Sequence, residues 1–231
     1  MKNCVVQFYM ELEKFSNPNF AGIKINKELL EYSKISAKKY AEKYNHDYIL
    51  ITEPKIKHVH PTFERFDLFL NNTWWDRYSQ ILYLDTDIIC WPDAPNIFEM
   101  YRDAETFKVC EDRVALSKSV NWHKENLQDN ILKKYTANVL RTRRFNAGVF
   151  LLNKNSAEAM EPFLNYKDNN DNDNALLIHA MLASGVDTEY MDWRFNKKNG
   201  ENCWFGHAYG QKKYQENFNM LKKAKTIFKD A

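Results

Sequence analysis

Two aspartates in the stretch Ile81–Cys90 are the residues best suited to chemistry. Asp85 and Asp87 follow the apolar run Ile-Leu-Tyr-Leu and precede Ile-Ile-Cys, a pattern typical of a strand buried on both faces of a mostly parallel sheet. Residues two apart in an extended segment point to the same side, and buried carboxylates need a positive partner. The pair therefore predicts a site for a hard divalent cation, Mg2+ or Mn2+, held together with substrate phosphates.

The first hundred residues contain the elements that must position this pair. Apolar runs predict strands over Cys4–Tyr9 and Tyr48–Ile51, and apolar residues at helical spacing predict a helix over Lys27–Tyr44 between them. A strand, a helix and a strand in this order form a βαβ unit, which is parallel and right-handed by default. A second helix is predicted over Thr62–Tyr78, directly before the strand that carries the aspartates.

The rest of the chain continues the α/β pattern with further strands and helices. In chain order we predict a short helix within Pro95–Tyr101, strands over Thr106–Cys110 and Arg144–Asn153, a helix over Ser156–Tyr166, a helix over Ala175–Leu182 with its N-cap at Asp173 or an adjacent residue, a strand or turn over Tyr190–Asn196, and a basic amphipathic helix from Gln215. Residues 113–143 are polar and mixed, and we expect helix and loop there, over the active face.

Length and composition bound the classes of protein to which the chain can belong. Its 231 residues, of which 44% are hydrophobic, suffice for one α/β domain with a substantial core. A formal net charge of +2 gives no bias toward polyanions, so we expect no nucleic-acid partner. We also expect no transmembrane segment and no signal peptide. The four cysteines are scattered without a Cys-x-x-Cys, which predicts reduced thiols in a cytoplasmic protein.

Five segments resemble, in the same order, motifs of glycosyltransferase family 8, the glycogenin-like and bacterial galactosyltransferase group. The first is the Asp-x-Asp stretch, which is similar to the signature of nucleotide-sugar glycosyltransferases with the GT-A fold. The other four are Phe145–Phe150, Asp173–Leu177, Trp193–Asn196 and His207–Lys213. The chain departs from the family at two places: Asn174 stands where Gln is usual, and Tyr214-Gln215 stands where Pro-Trp follows the last motif.

The resemblance implies a fold and an activity. The fold would be α/β, of the GT-A (Rossmann-like) type, as a single domain with a mostly parallel mixed central sheet flanked by helices. Residues 1–100 would bind the nucleotide, residues 101–214 would bind donor sugar and acceptor, and residues 215–231 would form a C-terminal helix. The activity would be metal-dependent transfer of a hexose from a UDP-sugar to a glycan or protein-linked sugar, with retention. No Asp or Glu is placed in the sequence as the general base that inversion needs.

The same resemblance assigns roles to individual residues. Asp85, Asp87 and His207 would ligate Mn2+. An imidazole together with carboxylates suits Mn2+ better than Mg2+, which is the alternative ion. Other contacts to the UDP-sugar would come from Tyr9, Arg65, Thr86, Gly210 and Lys213. The donor sugar and its oxocarbenium-like transition state would be held by Asn146, Asp112 and Asp173. Residue type also allows ordinary roles: core packing for Tyr9, a solvated surface for Arg65 and Lys213, a loop for His207, a strand start for Asn146 and helix capping for Asp173.

Three other interpretations of the aspartate pair remain open. A surface turn with two solvated aspartates is disfavoured by the apolar residues on both sides. A haloacid-dehalogenase phosphatase uses a similar strand, with its first aspartate as nucleophile and its second as general acid. That motif normally lies near the start of a chain and continues with Thr or Val, where this chain has Ile89. A non-catalytic module that binds a sugar or nucleotide is the third, and the intact set of candidate ligands argues against it.

Overall fold

The computed structural model describes residues 1–11, 27–56, 60–103, 105–111, 145–164, 173–198, 202–208 and 214–229. The helix and loop predicted for residues 113–143 lie outside these residues. So do three of the candidate site residues, Asp112, Gly210 and Lys213.

Nine strands in the described residues form two sheets. In chain order they are β1 (Lys2–Phe8), β2 (Asp47–Ile51), β3 (Tyr78–Leu84), β4 (Ile88–Cys90), β5 (Phe107–Glu111), β6 (Phe145–Asn153), β7 (Thr188–Met191), β8 (Lys197–Lys198) and β9 (Phe205–His207). Six of them make a central sheet in the order β2-β1-β3-β6-β5-β7, and β4, β9 and β8 make a small second sheet. In the central sheet β6 runs antiparallel to both neighbours, while the other pairs are parallel. This is the mostly parallel mixed sheet that the sequence predicts.

Helices in the described residues cover both faces of the central sheet. The α-helices are α1 (Lys27–Lys43), α2 (Asp67–Leu70), α3 (Ile97–Met100), α4 (Lys154–Met160), α5 (Asp173–Ser184) and α6 (Tyr214–Ile227), and short 3-10 helices lie at Pro61–Phe66, Asn72–Trp74, Glu161–Phe163 and Trp193–Asn196. Apolar residues of α2, α4 and α5 pack on one face, and those of α1 and α3 pack on the other. None of these helices could span a lipid bilayer.

Side chains of β3 alternate between the two faces of the sheet. Ile81 and Tyr83 join the core that contains α2, α4 and α5, whereas Leu82 and Leu84 join the core that contains α1 and α3. All four side chains are at most 3% exposed, so the predicted burial of this strand on both faces is confirmed. Packing on both faces fixes the position of the carboxyl end of β3, where Asp85 follows.

The helix predicted over Thr62–Tyr78 is wrong as a single element. The chain forms a 3-10 helix, the short helix α2 and a second 3-10 helix before β3 begins. Asn71 interrupts the helix with an extended backbone, and its side chain accepts a hydrogen bond from the backbone N–H of Thr73, a local bond with which Asn often competes with helices. The apolar pattern still predicted burial correctly, because Phe63 and Phe66 are at most 1% exposed.

Most other predicted boundaries agree with the structure to within three residues. There are two exceptions. The strand predicted over Ile81–Cys90 divides into β3 and β4, which belong to different sheets, because a turn at Asp85–Asp87 interrupts it.

The helix predicted over Ser156–Tyr166 is the second exception, because α4 begins earlier, at Lys154, and ends at Met160. A 3-10 turn that contains Pro162 follows it, since proline lacks the N–H that a continuing α-helix would need. Asn153 caps the start of α4 by accepting a hydrogen bond from the backbone N–H of Ser156.

The second sheet joins a late segment of the chain to the Asp-x-Asp turn. β4 pairs antiparallel with β9, and Ile88 lies opposite His207, while β8 runs parallel to β9. Phe205 of β9 packs edge-on against Tyr40 of α1, with ring centres 5.0 Å apart. Backbone pairing and this core contact therefore hold His207 beside the turn.

We expect Phe150→Ala to lower the free energy of unfolding by about 3–5 kcal/mol. Phe150 is fully buried on β6, stacked on Tyr83 at 4.7 Å between ring centres, and 5.8 Å from the rings of Phe69 and Phe107. Urea unfolding followed by tryptophan fluorescence measures the loss. The control Phe218→Ala removes a side chain that is 47% exposed and should change stability by less than about 0.5 kcal/mol. Equal losses would contradict this packing.

Candidate functional site

The Asp-x-Asp turn connects β3 to β4. The backbone N–H of Asp85 donates to the carbonyl oxygen of Gly148 at 2.8 Å, and the carbonyl oxygen of Asp85 accepts from the backbone N–H of Ile88 at 3.1 Å. The buried side chain of Gln7, near the end of β1, donates to the same carbonyl oxygen at 3.1 Å. These bonds hold the turn in one conformation and fix the positions from which its carboxylates project.

The structure brings Asp85, Asp87 and His207 together. Nε2 of His207 lies 3.1 Å from Oδ1 of Asp87 and 3.8 Å from Oδ2 of Asp85. One ligand atom of each residue lies within 4.8 Å of the other two. The backbone N–H of Ala208 donates to the carbonyl oxygen of Asp87 at 3.0 Å, which ties β9 to the turn. Two carboxylate oxygens and an imidazole nitrogen at these distances fit a divalent cation such as Mn2+.

The three side chains differ in their exposure. The His207 side chain is 2% exposed, whereas those of Asp85 and Asp87 are 25% and 37% exposed. The imidazole therefore forms the buried side of the cluster, and the carboxylates form the side that solvent reaches. A ligand from solution would approach this cluster from the carboxylates.

Arg65 supplies the positive charge that the carboxylates require. Its Nη2 lies 3.2 Å from Oδ1 of Asp85 and 3.1 Å from Oδ2 of Asp173. Its Nη1 and Nε donate to the carbonyl oxygens of Ala147 and Thr62, each at 2.8 Å. The side chain is 6% exposed, so it is not the solvated surface arginine that its residue type allows. Arg65 bridges two carboxylates that the sequence analysis placed in different roles.

Tyr83 divides the two oxygens of Asp85 between two environments. The Tyr83 hydroxyl donates to Oδ1 of Asp85, the oxygen that also faces Arg65. The other oxygen, Oδ2, faces His207. The Tyr83 ring lies 4.9 Å from the centre of the Arg65 guanidinium, a favourable cation–π geometry. Asp85 thus takes support from the protein through one oxygen and presents the other to the cluster.

Burial and charge shift the pKa values of the cluster in opposite directions. Burial raises the pKa of Asp85 against the opposing effect of Arg65, and the neighbouring Asp87 raises it further. Burial acts to lower the pKa of His207, but Asp87 and Asp85 outweigh it and raise that pKa above its ordinary value. Burial also acts to raise the pKa of Asp87, but His207 lowers it overall. A cation that binds Nε2 of His207 must displace the proton that these carboxylates favour.

Asp173 is the first residue of α5, and Asn174 fixes where that helix lies. The side-chain oxygen of Asn174 accepts from the backbone N–H of Ala147 at 2.8 Å, and its side-chain nitrogen donates to the carbonyl oxygen of Phe145 at 3.2 Å. The amide therefore pairs with β6 as a neighbouring strand would. This contact places Asp173 against Arg65, and it gives a structural role to the residue that departs from the family pattern.

Asn146 lies beside the cluster on β6. Its Oδ1 accepts hydrogen bonds from the backbone N–H of Gly148 at 2.8 Å and from Nδ2 of Asn196 at 3.4 Å. These donors fix the orientation of the Asn146 amide. Within the described part of the chain, its NH2 group remains as a donor for a ligand.

Tyr9 and Thr86 lie at the same edge of the central sheet. Thr86 is the central, partly exposed residue of the turn. Tyr9 follows the carboxyl end of β1, where its backbone N–H donates to the carbonyl oxygen of Ile51 at 2.8 Å, and its ring lies 5.4 Å from the ammonium of Lys34. Ligands of open α/β sheets bind at the carboxyl ends of the strands, and both residues lie there. Their contacts with a nucleotide stay predictions.

Sequence reasoning missed several residues that hold the cluster together. Gln7 and Tyr83 looked like ordinary strand residues, although a polar Gln inside an apolar run is a signal of a buried hydrogen bond. Gly148 belongs to the motif Phe145–Phe150, and the structure shows why glycine is needed at this position. A Cβ at this position would lie 2.4 Å from Cε1 of His207 and 2.9 Å from Oδ2 of Asp85, so only glycine leaves room for the cluster.

Comparison with known proteins identifies relatives of the chain. The model of the family described as "Glycosyl transferase family 8" matches residues 3–198. No curated protein matches the chain in sequence.

Several solved structures share the fold. A glycosyltransferase involved in the glycosylation of the major capsid of PBCV-1 superposes with a TM-score of 0.60 at 9% identity, over 96% of this chain and 100% of that one. The galactosyltransferase LgtC, in complex with donor and acceptor sugar analogs, gives 0.51 at 14% identity, over 97% and 96%. The bifunctional glycosyltransferase WbbM gives 0.56 at 12% identity, over 99% and 51%. At these identities the likeness establishes the GT-A fold.

We expect Gly148→Ala to abolish binding of Mn2+ while the protein remains folded. The added methyl group collides with the buried ring of His207, and overpacking of this kind costs about 1–3 kcal/mol of stability. Isothermal titration with Mn2+ and urea unfolding measure the two effects separately.

Gly185→Ala is the matched control. Gly185 has a φ of 69°, and nothing lies within 4 Å of a Cβ placed there. The substitution should cost about 1–2 kcal/mol through the backbone alone and leave Mn2+ binding unchanged. If Gly148→Ala binds Mn2+ as tightly as the wild type, the cluster does not hold the cation in the arrangement described.

Proposed function

This chain belongs to glycosyltransferase family 8, and on that premise we propose that it transfers a hexose from a UDP-sugar to a glycan or a protein-linked sugar. We propose Mn2+ as the cation, with Mg2+ as the alternative, and retention at the anomeric carbon. The donor, the acceptor and the stereochemistry follow from the family resemblance of the sequence motifs. The shared fold of LgtC, a galactosyltransferase crystallised with donor and acceptor sugar analogs, supports a sugar donor.

The convergence of Asp85, Asp87 and His207 is the observation that carries this proposal. Sequence-distant segments supply these ligands, and one atom of each lies within 4.8 Å of the others. Such a set provides half of the octahedral shell that Mn2+ in oxygen and nitrogen sites usually takes, and leaves the remainder for diphosphate oxygens and water. A bound cation of this kind supplies charge neutralisation for the leaving diphosphate.

The neighbouring residues orient the ligands and the donor sugar. Arg65 lies within hydrogen-bonding distance of Asp85 and Asp173, so it fixes the positions of both carboxylates. Asn146 offers its NH2 group as a donor to a sugar hydroxyl, because its oxygen is already bound by Gly148. We propose that Asn146 and Asp173 contact the donor sugar and stabilise positive charge that develops on it.

Other proposed contacts rest on the sequence motifs. Asp112, Gly210 and Lys213 lie outside the described residues, and we propose them, with Tyr9 and Thr86, as further contacts to the UDP-sugar. We also propose a reducing compartment such as the cytoplasm. The four cysteines support it, because each is a buried free thiol.

A non-catalytic UDP-sugar-binding module is the second candidate function. It would use the same cluster to bind the nucleotide and would transfer nothing. The phosphatase alternative loses its support, because the family match covers residues 3–198 with a different class of enzyme. The two remaining candidates differ only in turnover, so binding and hydrolysis must be measured together.

We expect Mn2+ with UDP to raise the melting temperature of the wild type and not that of Asp87→Ala. A ligand at a hundredfold excess over its Kd stabilises by about 2.7 kcal/mol, which corresponds to a shift of about 5–11 °C for a domain of this size. Asp87→Ala removes one ligand atom and should abolish the shift. A scanning fluorescence assay with Mn2+, UDP and both together measures it.

The control Asp93→Ala removes an exposed carboxylate six positions further along the chain and should keep the full shift. Hydrolysis of a panel of UDP-sugars with Mn2+ then separates the two candidates. Release of sugar supports the transferase, and the anomer of the product tests retention. A full shift without hydrolysis of any donor supports the binding module. Asp87→Ala that keeps the shift would refute the metal assignment.

A further inference from the structure

Asn196 is the residue through which the candidate cation cluster contacts the candidate donor-sugar residue. It ends the 3-10 helix Trp193–Asn196 and lies directly before β8. Its Oδ1 lies 2.7 Å from Nδ1 of His207. Its Nδ2 donates to the backbone carbonyl oxygen of Asn146 at 3.1 Å and faces Oδ1 of the same residue at 3.4 Å. One side chain thus touches both halves of the site.

The contacts of Asn196 fix the orientation of its amide. A backbone carbonyl oxygen can only accept hydrogen bonds, so the atom that faces the carbonyl of Asn146 must be the amide nitrogen. The amide oxygen therefore faces His207. An amide oxygen also only accepts, so Nδ1 of His207 must carry the hydrogen that it donates.

The hydrogen on Nδ1 decides which ring nitrogen can ligate a cation. With Nδ1 as the donor to Asn196, the lone pair of the neutral ring lies on Nε2, the atom that faces Asp87 and Asp85. The ring cannot rotate freely, because the cluster side is occupied by the carboxylates and Gly148 lies against Cε1. Metal-ligating histidines commonly use such an outer hydrogen bond to fix their tautomer and their orientation.

We propose that Asn196 is a positioning residue with two effects, which rest on the proposed function. It holds His207 with Nε2 toward Asp87 and Asp85, where a cation would bind, and it holds Asn146 beside the same cluster, where the donor sugar would bind. The sugar is attached to the diphosphate, so its position relative to the ion is fixed by the donor itself. A residue that bonds to both a cation ligand and a sugar contact sets the spacing that the donor must match.

Two substitutions at Asn196 separate these effects. Asn196→Ala removes both contacts and should weaken the binding of Mn2+ in the presence of UDP about 10- to 100-fold, the usual effect of losing an outer-shell partner. Asn196→Asp keeps an oxygen that accepts from Nδ1 of His207, so it should recover most of the Mn2+ affinity that Asn196→Ala loses. It cannot donate to Asn146, so hydrolysis of the UDP-sugar should stay reduced by about 2- to 12-fold, as for one lost hydrogen bond.

Asn96→Ala is the matched control for a purely structural loss. Asn96 is also buried, and it caps α3. Its Oδ1 pairs with a histidine, because it lies 3.2 Å from Nε2 of His46. This pair lies outside the candidate site. The substitution should lower stability in urea but leave Mn2+ affinity and hydrolysis unchanged, which shows that loss of an Asn–His pair does not by itself affect the site.

Two measurements keep the outcomes distinct. Electron paramagnetic resonance of free Mn2+ gives the affinity of each variant in the presence of UDP. Long-range 1H–15N spectra of the cation-free protein at pH 9 report which nitrogen of His207 carries the hydrogen. We expect Nδ1 in the wild type and in Asn196→Asp, and a mixture or Nε2 in Asn196→Ala.

A wild type that does not bind Mn2+ with UDP would contradict the proposed function, while the spectra would still test the role of Asn196 in orienting the ring. If Asn196→Ala keeps the hydrogen on Nδ1, or binds Mn2+ as tightly as the wild type, the positioning role is refuted. If Asn196→Asp fails to restore Mn2+ affinity in a folded protein, the hydrogen bond to His207 is not what the cation requires.

Discussion

Two carboxylates at the end of a strand buried on both faces are the constraint on which the rest of the site depends. Asp85 and Asp87 repel each other, and the packed sheet removes much of the water that would otherwise screen them. Arg65 and His207 offset this cost from opposite sides, at 3.2 Å and 3.1 Å. These partners come from different elements of the fold. The 3-10 helix that carries Arg65 and the strand β9 that carries His207 meet at the turn, where both compensate the negative charge of the two aspartates.

The two positive partners are not equivalent, and this difference matters for function. Arg65 is enclosed by carbonyl oxygens and by the carboxylates of Asp85 and Asp173, so it is a permanent part of the scaffold. His207 is a titratable partner, and its Nε2 faces both carboxylates. Burial acts to lower the pKa of His207, but Asp87 and Asp85 raise it above its ordinary value, and a cation that binds Nε2 would have to replace the proton there. Of the two partners, only His207 could therefore exchange its proton for a bound cation.

The sequence predicted the elements that follow local rules, and it predicted little of what depends on distant partners. The βαβ unit, the buried strand before Asp85 and the helix after Asp173 follow from apolar periodicity. The sequence did not predict that the helix is interrupted at Asn71. The apolar pattern there suits a continuous helix, and a single local hydrogen bond of the Asn71 side chain outweighs it.

The sequence placed Arg65 at the site but did not predict its pairing with Ala147 and Asp173, since these partners lie in segments that only the folded sheet brings near. For the same reason the sequence showed Asn196 only as a member of a motif and did not predict its contacts with His207 and Asn146.

The central claim is that one divalent cation is held by the two aspartates and His207 together with a nucleotide diphosphate. Pulsed electron paramagnetic resonance of the protein with Mn2+ and UDP tests it directly, because hyperfine couplings identify the nuclei bound to the ion. The account predicts one imidazole 14N coupling that disappears in His207→Gln, together with 31P couplings from the diphosphate. A wild-type spectrum with 31P couplings and no imidazole nitrogen would contradict it, since the nucleotide would then bring its ion to the protein without the cluster described.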